Sequence, residues 1–288
     1  MTGPLSKKRI VLGVTGSIAC YKSIDLASKF TQAGAEVDVI LTDSATKFVT
    51  PLSFKSITHR QVVTNIFDIN SELAVNHVAL AEQSDIFVIA PASANTIAKL
   101  ANGLSDNALL TSVLATKSPI VIAPAMDANM FENAATQRNV ATLMSDGMFI
   151  AGPAKGRLAS GLTGLGRMVE PRDLVGVTEM VLGKNGDFSG KRIVVSAGGT
   201  QEAIDPVRTI SNRSSGKMGY AIAEAARNRG ATVTLVSAPT ALPDLVGVRT
   251  IKIESALEMK EVLGEECNDA HSIIMAAAVA GWGPVRPL

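Results

Sequence analysis

The sequence predicts an α/β protein: a doubly wound parallel sheet with helices on both faces, followed by a second unit of the same class. Three observations carry this. Short runs of branched aliphatic residues alternate with helical stretches along most of the chain. The pattern of strand, glycine loop and helix that opens the chain starts again near Arg192. Small aliphatics dominate, with 47% hydrophobic residues but only 4% aromatics, as expected where parallel strands are buried on both faces.

Taken in order, Arg9 to Val14 predicts a buried strand, then a Gly/Thr/Ser loop and a helix from about Ile18 to Ala33. Val37 to Leu41 is the next strand. Ile86 to Ala90 is another, ending at Pro91, and Ile120 to Ala123 ends at Pro124. Met148 to Ile150 predicts a short later strand, with helices at Asn95 to Ala101 and Asp106 to Ala115. The polar stretch Gly183-Lys184-Asn185-Gly186-Asp187 suits a linker and divides the chain into 1–183 and 184–288. Beyond it come strand Arg192 to Ser196, a Gly-Gly-Thr loop, helix Tyr220 to Arg229, and strands Thr232 to Val236 and Ser272 to Ala277. Ligands of such folds bind at the carboxyl ends of the strands, and the unusual polar clusters sit there.

Composition excludes several functions. Lys+Arg is 27 against Asp+Glu 26, so no global field draws the chain to nucleic acid or anionic lipid. Cys20 and Cys267 match no metal spacing or disulfide framework, which suggests a reducing compartment. The segment Met1 to Lys8 is short, and the apolar run after it is interrupted by Gly13, Thr15, Gly16 and Ser17. It resembles neither a signal peptide nor a membrane span. A cytoplasmic protein with no membrane partner is the expectation.

The loop Gly13-Val14-Thr15-Gly16-Ser17-Ile18-Ala19 joins a strand to a helix. Glycines let the backbone approach a phosphate, and free N–H groups at the helix start favour an anion. The third glycine of the dinucleotide fingerprint is missing, which disfavours a dinucleotide-dependent dehydrogenase. Thr42 and Ser44 add hydroxyls after the second strand, and Asp43 between them is flanked by hydroxyls rather than set for a ribose.

Further clusters sharpen this. They are Asn76-His77, Pro91-Ala92-Ser93-Ala94-Asn95-Thr96, Gly103-Leu104-Ser105-Asp106-Asn107, Pro124-Ala125-Met126-Asp127-Ala128-Asn129-Met130 and Gly164-Leu165-Gly166-Arg167-Met168. With Gly16-Ser17-Ile18-Ala19, they resemble the FMN-binding cysteine decarboxylase family from about Lys8 to Leu182. Ser196 to Glu202, Ile204 to Arg208 and Asn212 to Gly219 resemble the phosphopantothenate–cysteine ligase domain. The two in this order resemble the bifunctional decarboxylase and ligase family of coenzyme A biosynthesis.

The resemblance implies a flavodoxin/Rossmann-like first domain and a second, incomplete Rossmann-like one. It implies FMN, its phosphate at Gly16, Ser17 and Ile18 with Thr42 and Ser44 nearby. Ser93, Ala94, Asn95, Asp106 and Asn107 would hold the flavin's other polar groups, and Met126 would wall the site. The substrate would be 4′-phosphopantothenoylcysteine, contacted by Asn76, Met130, Arg167 and Met168, and the assembly a homotrimer or higher homo-oligomer. His77 is the expected catalytic proton exchanger, whereas His59 and His271 carry no motif. In the ligase half, Gly198, Gly199, Thr200 and Asn212 would meet the nucleotide or its acyl adduct, with CTP and Mg2+ if that half is active.

The chain departs from these patterns in three places. Asp127 stands where the decarboxylase motif has Asn, and is expected to work as a neutral acid that donates to the substrate carboxylate. The substrate clamp reads Ala159-Ser160-Gly161 in place of Ala-Cys-Gly; Ser160 stands at the catalytic position but is a far weaker acid than a thiol, so the last protonation has lost its expected donor. Ala280-Gly281-Trp282-Gly283-Pro284 lacks the Asp and Arg of the ligase motif, and the chain stops at Leu288, before the lysine-rich segment that motif precedes. A truncated ligase is the expectation. A flavin-binding regulatory protein that has kept the fold and lost turnover stays open on Ser160 and the C-terminal stop.

Overall fold

A computed structural model describes residues 3–65 and 77–281. Asn76, Trp282, Gly283 and Pro284 lie outside the described residues. The chain divides into two compact units, Met1–Leu182 and Gly183–Leu288.

The first unit is built from β1 (Arg9–Val14), α1 (Cys20–Gln32), β2 (Glu36–Leu41), α2 (Pro51–Thr58), β3 (Val62–Val63), α3 (His77–Gln83), β4 (Ile86–Ala92), α4 (Ala94–Ala101) and α5 (Ala108–Ala115). It continues with β5 (Ile120–Pro124), α6 (Ala128–Glu132), α7 (Ala134–Ser145), β6 (Phe149–Ile150), β7 (Ala154–Arg157), β8 (Thr163–Arg167) and α8 (Pro171–Gly183). Six strands form a parallel sheet in the order β3-β2-β1-β4-β5-β6. Strand order reverses between β1 and β4, which makes the carboxyl ends of these two the expected ligand crevice.

Alternation along the strands explains why helices cover both faces. Val11, Phe87, Ile89, Ile120 and Ile122 pack with Leu80 of α3, Ile97 of α4, Leu109 of α5 and Leu143 of α7. Intervening residues such as Ile10, Leu12 and Val88 are as fully buried, and α1 packs against β1, β2, β4 and α2. β7 and β8 form an antiparallel hairpin outside the main sheet.

The second unit holds β9 (Arg192–Ala197), β10 (Gln201–Ala203), β11 (Thr209–Ser211), α9 (Lys217–Arg227), β12 (Thr232–Ser237), β13 (Arg249–Lys252), α10 (Ala256–Glu266) and β14 (Ser272–Met275). Its parallel sheet runs β13-β12-β9-β14, the order in which β3, β2, β1 and β4 stand in the first. Tyr220, Ala223 and Ala226 of α9 pack on Val195 and Leu235; Met259 and Leu263 of α10 pack on Val194 and Val236 from the opposite face.

Several boundaries differ from the sequence expectation. β4 runs through Pro91 to Ala92, with its register against β5 shifting between Ile89 and Ala92; a proline has no N–H to give, so the ladder breaks there without the strand ending. α5 starts at Ala108, not Asp106, because Asn107 takes the cap and accepts from Leu110 N at 3.1 Å. α9 starts at Lys217, after Gly216 turns the chain at φ 74°. The polar stretch at 183–187 is packed into the second unit: a Cβ at Gly183 would lie 1.9 Å from Asn228 O, and Asp187 pairs with Arg229. Among the described residues no helix is long and apolar enough to cross a membrane.

Candidate active site

The loop after β1 is fixed to β4 by one buried side chain. Thr15 Oγ1 donates to Pro91 O at 2.8 Å and accepts from Ser93 N at 2.9 Å. This brings Gly16, Ser17 and Ile18 beside the start of α4. Gly16 has to be glycine, since a Cβ there would lie 2.5 Å from Ser44 Cβ. The cap residue of α1, Ala19, offers no side-chain oxygen; the turn into the helix closes on Ser17, whose O accepts from Cys20 N at 3.0 Å and whose Oγ accepts from Ala19 N at 3.3 Å. Thr42 is tied into its own turn, donating to Val14 O at 3.4 Å and accepting from Ala45 N at 3.3 Å, while Ser44 is exposed.

A cavity of about 490 Å³ opens beside this loop. Seven residues expected from the sequence line it: Ser17, Ile18, Met126, Asp127, Ser160, Arg167 and Met168. Gly16, Thr42, Ser44, Ser93, Ala94, Asn95, Asp106, Asn107 and Met130 are not part of its lining. Ser93 caps α4, accepting from Thr96 N, and Ala94 and Asn95 form that helix's first turn. Asp106 pairs with Lys99, whose hydrogen bond holds its carboxyl below the usual carboxylate range. His77 opens α3.

The far wall is the β7–β8 hairpin, which closes on the loop after β5. Met126 N donates to Gly166 O at 3.0 Å, and a Cβ at Gly166 would lie 2.2 Å from Met126 O. This close approach brings Ser160, at the exposed hairpin tip, onto Asp127. Ser160 Oγ donates to Asp127 Oδ2 at 2.6 Å, and Asp127 Oδ1 accepts from Asn129 N at 3.1 Å as the cap of α6. The sequence expectation is a donor at Asp127; in the structure both its oxygens accept.

The cavity also contains charge that the sequence reading missed. Lys22 is 5% exposed, and its Nζ donates to Met168 O at 2.8 Å and to Glu170 at 2.9 Å. Arg167 reaches the same Glu170 oxygen at 2.7 Å. The Lys22 hydrogen bond, then its charge and that of Arg167, hold the Glu170 carboxyl below its ordinary value. Arg157 and the carboxylate of Asp127 are on the lining as well. A lysine at an expected helix position reads as solvated, and nothing local points to a partner 148 residues away. Cys20 is fully buried, donates to Thr15 O at 3.2 Å, and burial pushes its thiol up, so it packs as a small apolar group.

In the second unit the expected residues do converge. Gly198 (φ 85°) follows β9, and a Cβ there would lie 2.8 Å from Ala238 O. Gly199 bridges Ala278, and Asn212 Nδ2 donates to Ala278 O at 2.9 Å. Thr200 is fully buried; its N donates to Ala278 O and its hydroxyl accepts from Ala280 N at 2.8 Å, which gives it a part in shaping the loop.

Residues 1–183 match the family described as Flavoprotein, and residues 188–287 match the DNA/pantothenate metabolism flavoprotein C-terminal domain. The chain belongs to this flavoprotein family. It is 45% identical over 280 residues to the coenzyme A biosynthesis bifunctional protein CoaBC of Vibrio vulnificus strain YJ016, covering 97% of this chain and 70% of the relative. CoaBC of Bacillus subtilis strain 168 is 41% identical over 283 residues, with the same coverage. CoaBC of Escherichia coli K12 is 41% identical over 278 residues, covering 96% of this chain and 68% of the relative. This flavoprotein is therefore a bifunctional coenzyme A biosynthesis enzyme, with a decarboxylase and a ligase domain. Its first unit also resembles a solved cysteine-to-serine mutant of a PPC decarboxylase complexed with pantothenoylaminoethenethiol. The TM-score is 0.54 at 34% identity, over 60% of this chain and 97% of that one. The FMN binding protein AtHal3 matches with TM-score 0.53 at 34% identity, over 60% and 96%.

Proposed function

We propose that the first unit binds FMN and decarboxylates 4′-phosphopantothenoylcysteine to 4′-phosphopantetheine. The observation that carries this is the cavity in which Ser17 and Ile18 of the glycine loop face Met126, Asp127, Ser160, Arg167 and Met168. The residues fit the cofactor: Gly16 lets the loop after β1 pass close against Ser44, where a Cβ would clash, and so sets Ser17 and Ile18 on the cavity at the carboxyl end of the sheet, where such folds bind ligands. FMN, when bound, supplies the reversible hydride chemistry at the carbon next to the substrate sulfur.

The chain's own residues bind and orient. Gly16, Ser17 and Ile18 hold the phosphate, with Thr42 and Ser44 beside them. Ser93, Ala94, Asn95, Asp106 and Asn107 serve the flavin's remaining polar groups, and Met126 walls the site. Lys22, Arg157 and Arg167 give the cavity the positive potential that a carboxylate and a phosphate need. Met130 and Met168 pack on the substrate, Asn76 positions it, and His77 exchanges protons beside its carboxyl and sulfur. The enethiol complexed with the related PPC decarboxylase is of the class that decarboxylation without reduction leaves. A trimer or larger homo-oligomer accompanies this reading.

For the second unit, the reading is a CTP-dependent phosphopantothenate–cysteine ligase site, built on Gly198, Gly199, Thr200 and Asn212. These residues follow β9 at the carboxyl end of the parallel sheet, where such folds bind ligands. Among the described residues no group of three or more His, Cys, Asp or Glu could hold a metal ion. One experiment tests the main reading: the purified chain, reconstituted with FMN, should be yellow and release carbon dioxide from 4′-phosphopantothenoylcysteine. A chain that binds FMN and releases none is a flavin-binding protein only.

A further inference from the structure

Decarboxylation leaves an electron pair on the carbon that held the carboxylate, conjugated through C=C to sulfur. To finish as a thiol, that carbon must take up a proton. A serine hydroxyl is a weak acid and a poor donor, whereas a carboxyl is a good one. The two positions where this chain departs from the decarboxylase pattern, 127 and 160, sit on different elements 33 residues apart, yet Ser160 Oγ and Asp127 Oδ2 are 2.6 Å apart. Both line the cavity that holds Ser17 and Met126. Asp127 is half-buried at the start of α6, and Ser160 is exposed at the hairpin tip.

We propose that Asp127 and Ser160 form a proton relay that completes the reduction half of the reaction, Asp127 as the acid and Ser160 as its link to water. This rests on the decarboxylase reading. The Asp127 O–H bond breaks and its proton joins the carbon that lost carbon dioxide. The C=C pair forms that C–H bond, and the sulfur pair closes to C=S. The hydride removed from the substrate at the start returns to the sulfur-bearing carbon, so no outside oxidant or reductant is needed. Ser160 then hands its hydroxyl proton to Oδ2 and takes one from solvent, restoring the acid.

The test uses the full chain with FMN and 4′-phosphopantothenoylcysteine in the absence of oxygen. Carbon dioxide, the thiol-to-enethiol ratio by mass spectrometry and the flavin spectrum are measured together. Asp127→Asn keeps an Oδ1 acceptor for the α6 cap while removing the acid. Wild type should turn over repeatedly with its flavin oxidised at the end. D127N should release one carbon dioxide per flavin, leave enethiol and bleached flavin, and lose thiol yield by about a hundredfold or more. D127N/S160C puts a thiol donor at the tip and should restore repeated turnover. Wild-type thiol yield in D127N, loss of its first carbon dioxide, or no restoration in D127N/S160C overturns the relay alone. No carbon dioxide from wild type overturns the decarboxylase reading, and the relay with it.

Discussion

The ion pair of Lys22 and Glu170 makes a prediction in which the two partners are unequal. Lys22 is 5% exposed and Glu170 51%. Glu170→Ala leaves the Lys22 ammonium buried against a single neutral partner, Met168 O at 2.8 Å. Breaking a fully buried pair in this way costs about 3–5 kcal/mol; water reaching the vacated Glu170 position lowers this to about 2 kcal/mol. Lys22→Met keeps the packed stem, removes the charge and leaves Glu170 half-exposed with Arg167 at 2.7 Å. That loss is about 1 kcal/mol, one hydrogen bond to a carbonyl. The double variant K22M/E170A removes the buried charge together with its partner, and should be more stable than E170A.

Peptide-resolved hydrogen exchange on the full chain reads each unit by itself. For β1 and β4 amides, 2 kcal/mol corresponds to about 30-fold faster exchange in E170A. Glu170 is held below its ordinary value, chiefly by the Lys22 hydrogen bond. Its stabilisation is present above the unfolded carboxyl value, about 4.3, and is lost as pH falls through the folded one. The gap between wild type and Glu170→Gln should be full at neutral pH and close on acidification. Equal exchange in E170A and K22M, or a double variant worse than either, would refute the asymmetry.

Gly16→Ala should weaken FMN binding about a hundredfold by driving a Cβ onto Ser44 Cβ at 2.5 Å, and Ser44→Gly should recover much of it; fluorescence titration of the flavin-free chain checks both. His77→Asn should keep flavin while decarboxylation falls by about a hundredfold or more, read as carbon dioxide release against flavin absorbance. Residues 1–182 alone should fold and take up FMN, because the glycine loop and every cavity residue lie within them; a folded, colourless fragment refutes that.

The strand and helix alternation was legible because parallel strands buried on both faces leave near-continuous aliphatic runs. The glycine loop was legible because Gly16 answers a steric demand. Polar residues near helix starts were harder. Ser93 and Asn107 form a cluster that reads as ligand contacts, yet each places an oxygen on a backbone N–H of its own helix. Serine and asparagine are favoured for capping and for binding by the same acceptor chemistry. The β7–β8 hairpin was missed because Ala154–Arg157 and Thr163–Arg167 carry alanine, lysine and glycine where strands usually show branched residues. Its position comes from Gly166 allowing backbone to meet backbone, a contact with no local signature.

Asp127 shows what the fold adds to a motif. Read alone, an Asp in an Asn position suggests a neutral acid near a carboxylate, and a Ser in a Cys position suggests a lost donor. In the structure the two Asp127 oxygens have different duties. Oδ1 takes the Asn129 amide and caps α6, so a proton there would break the cap. Oδ2 takes the Ser160 hydroxyl and is the oxygen that can carry a proton, provided Ser160 turns from donor to acceptor. Asp127→Asn would set its amide nitrogen at that second position, donating to Ser160 Oγ while the cap survives. The substitution therefore keeps the hairpin and helix in place and removes only the ability to release a proton. That separates a chemical part for Asp127 from a structural one.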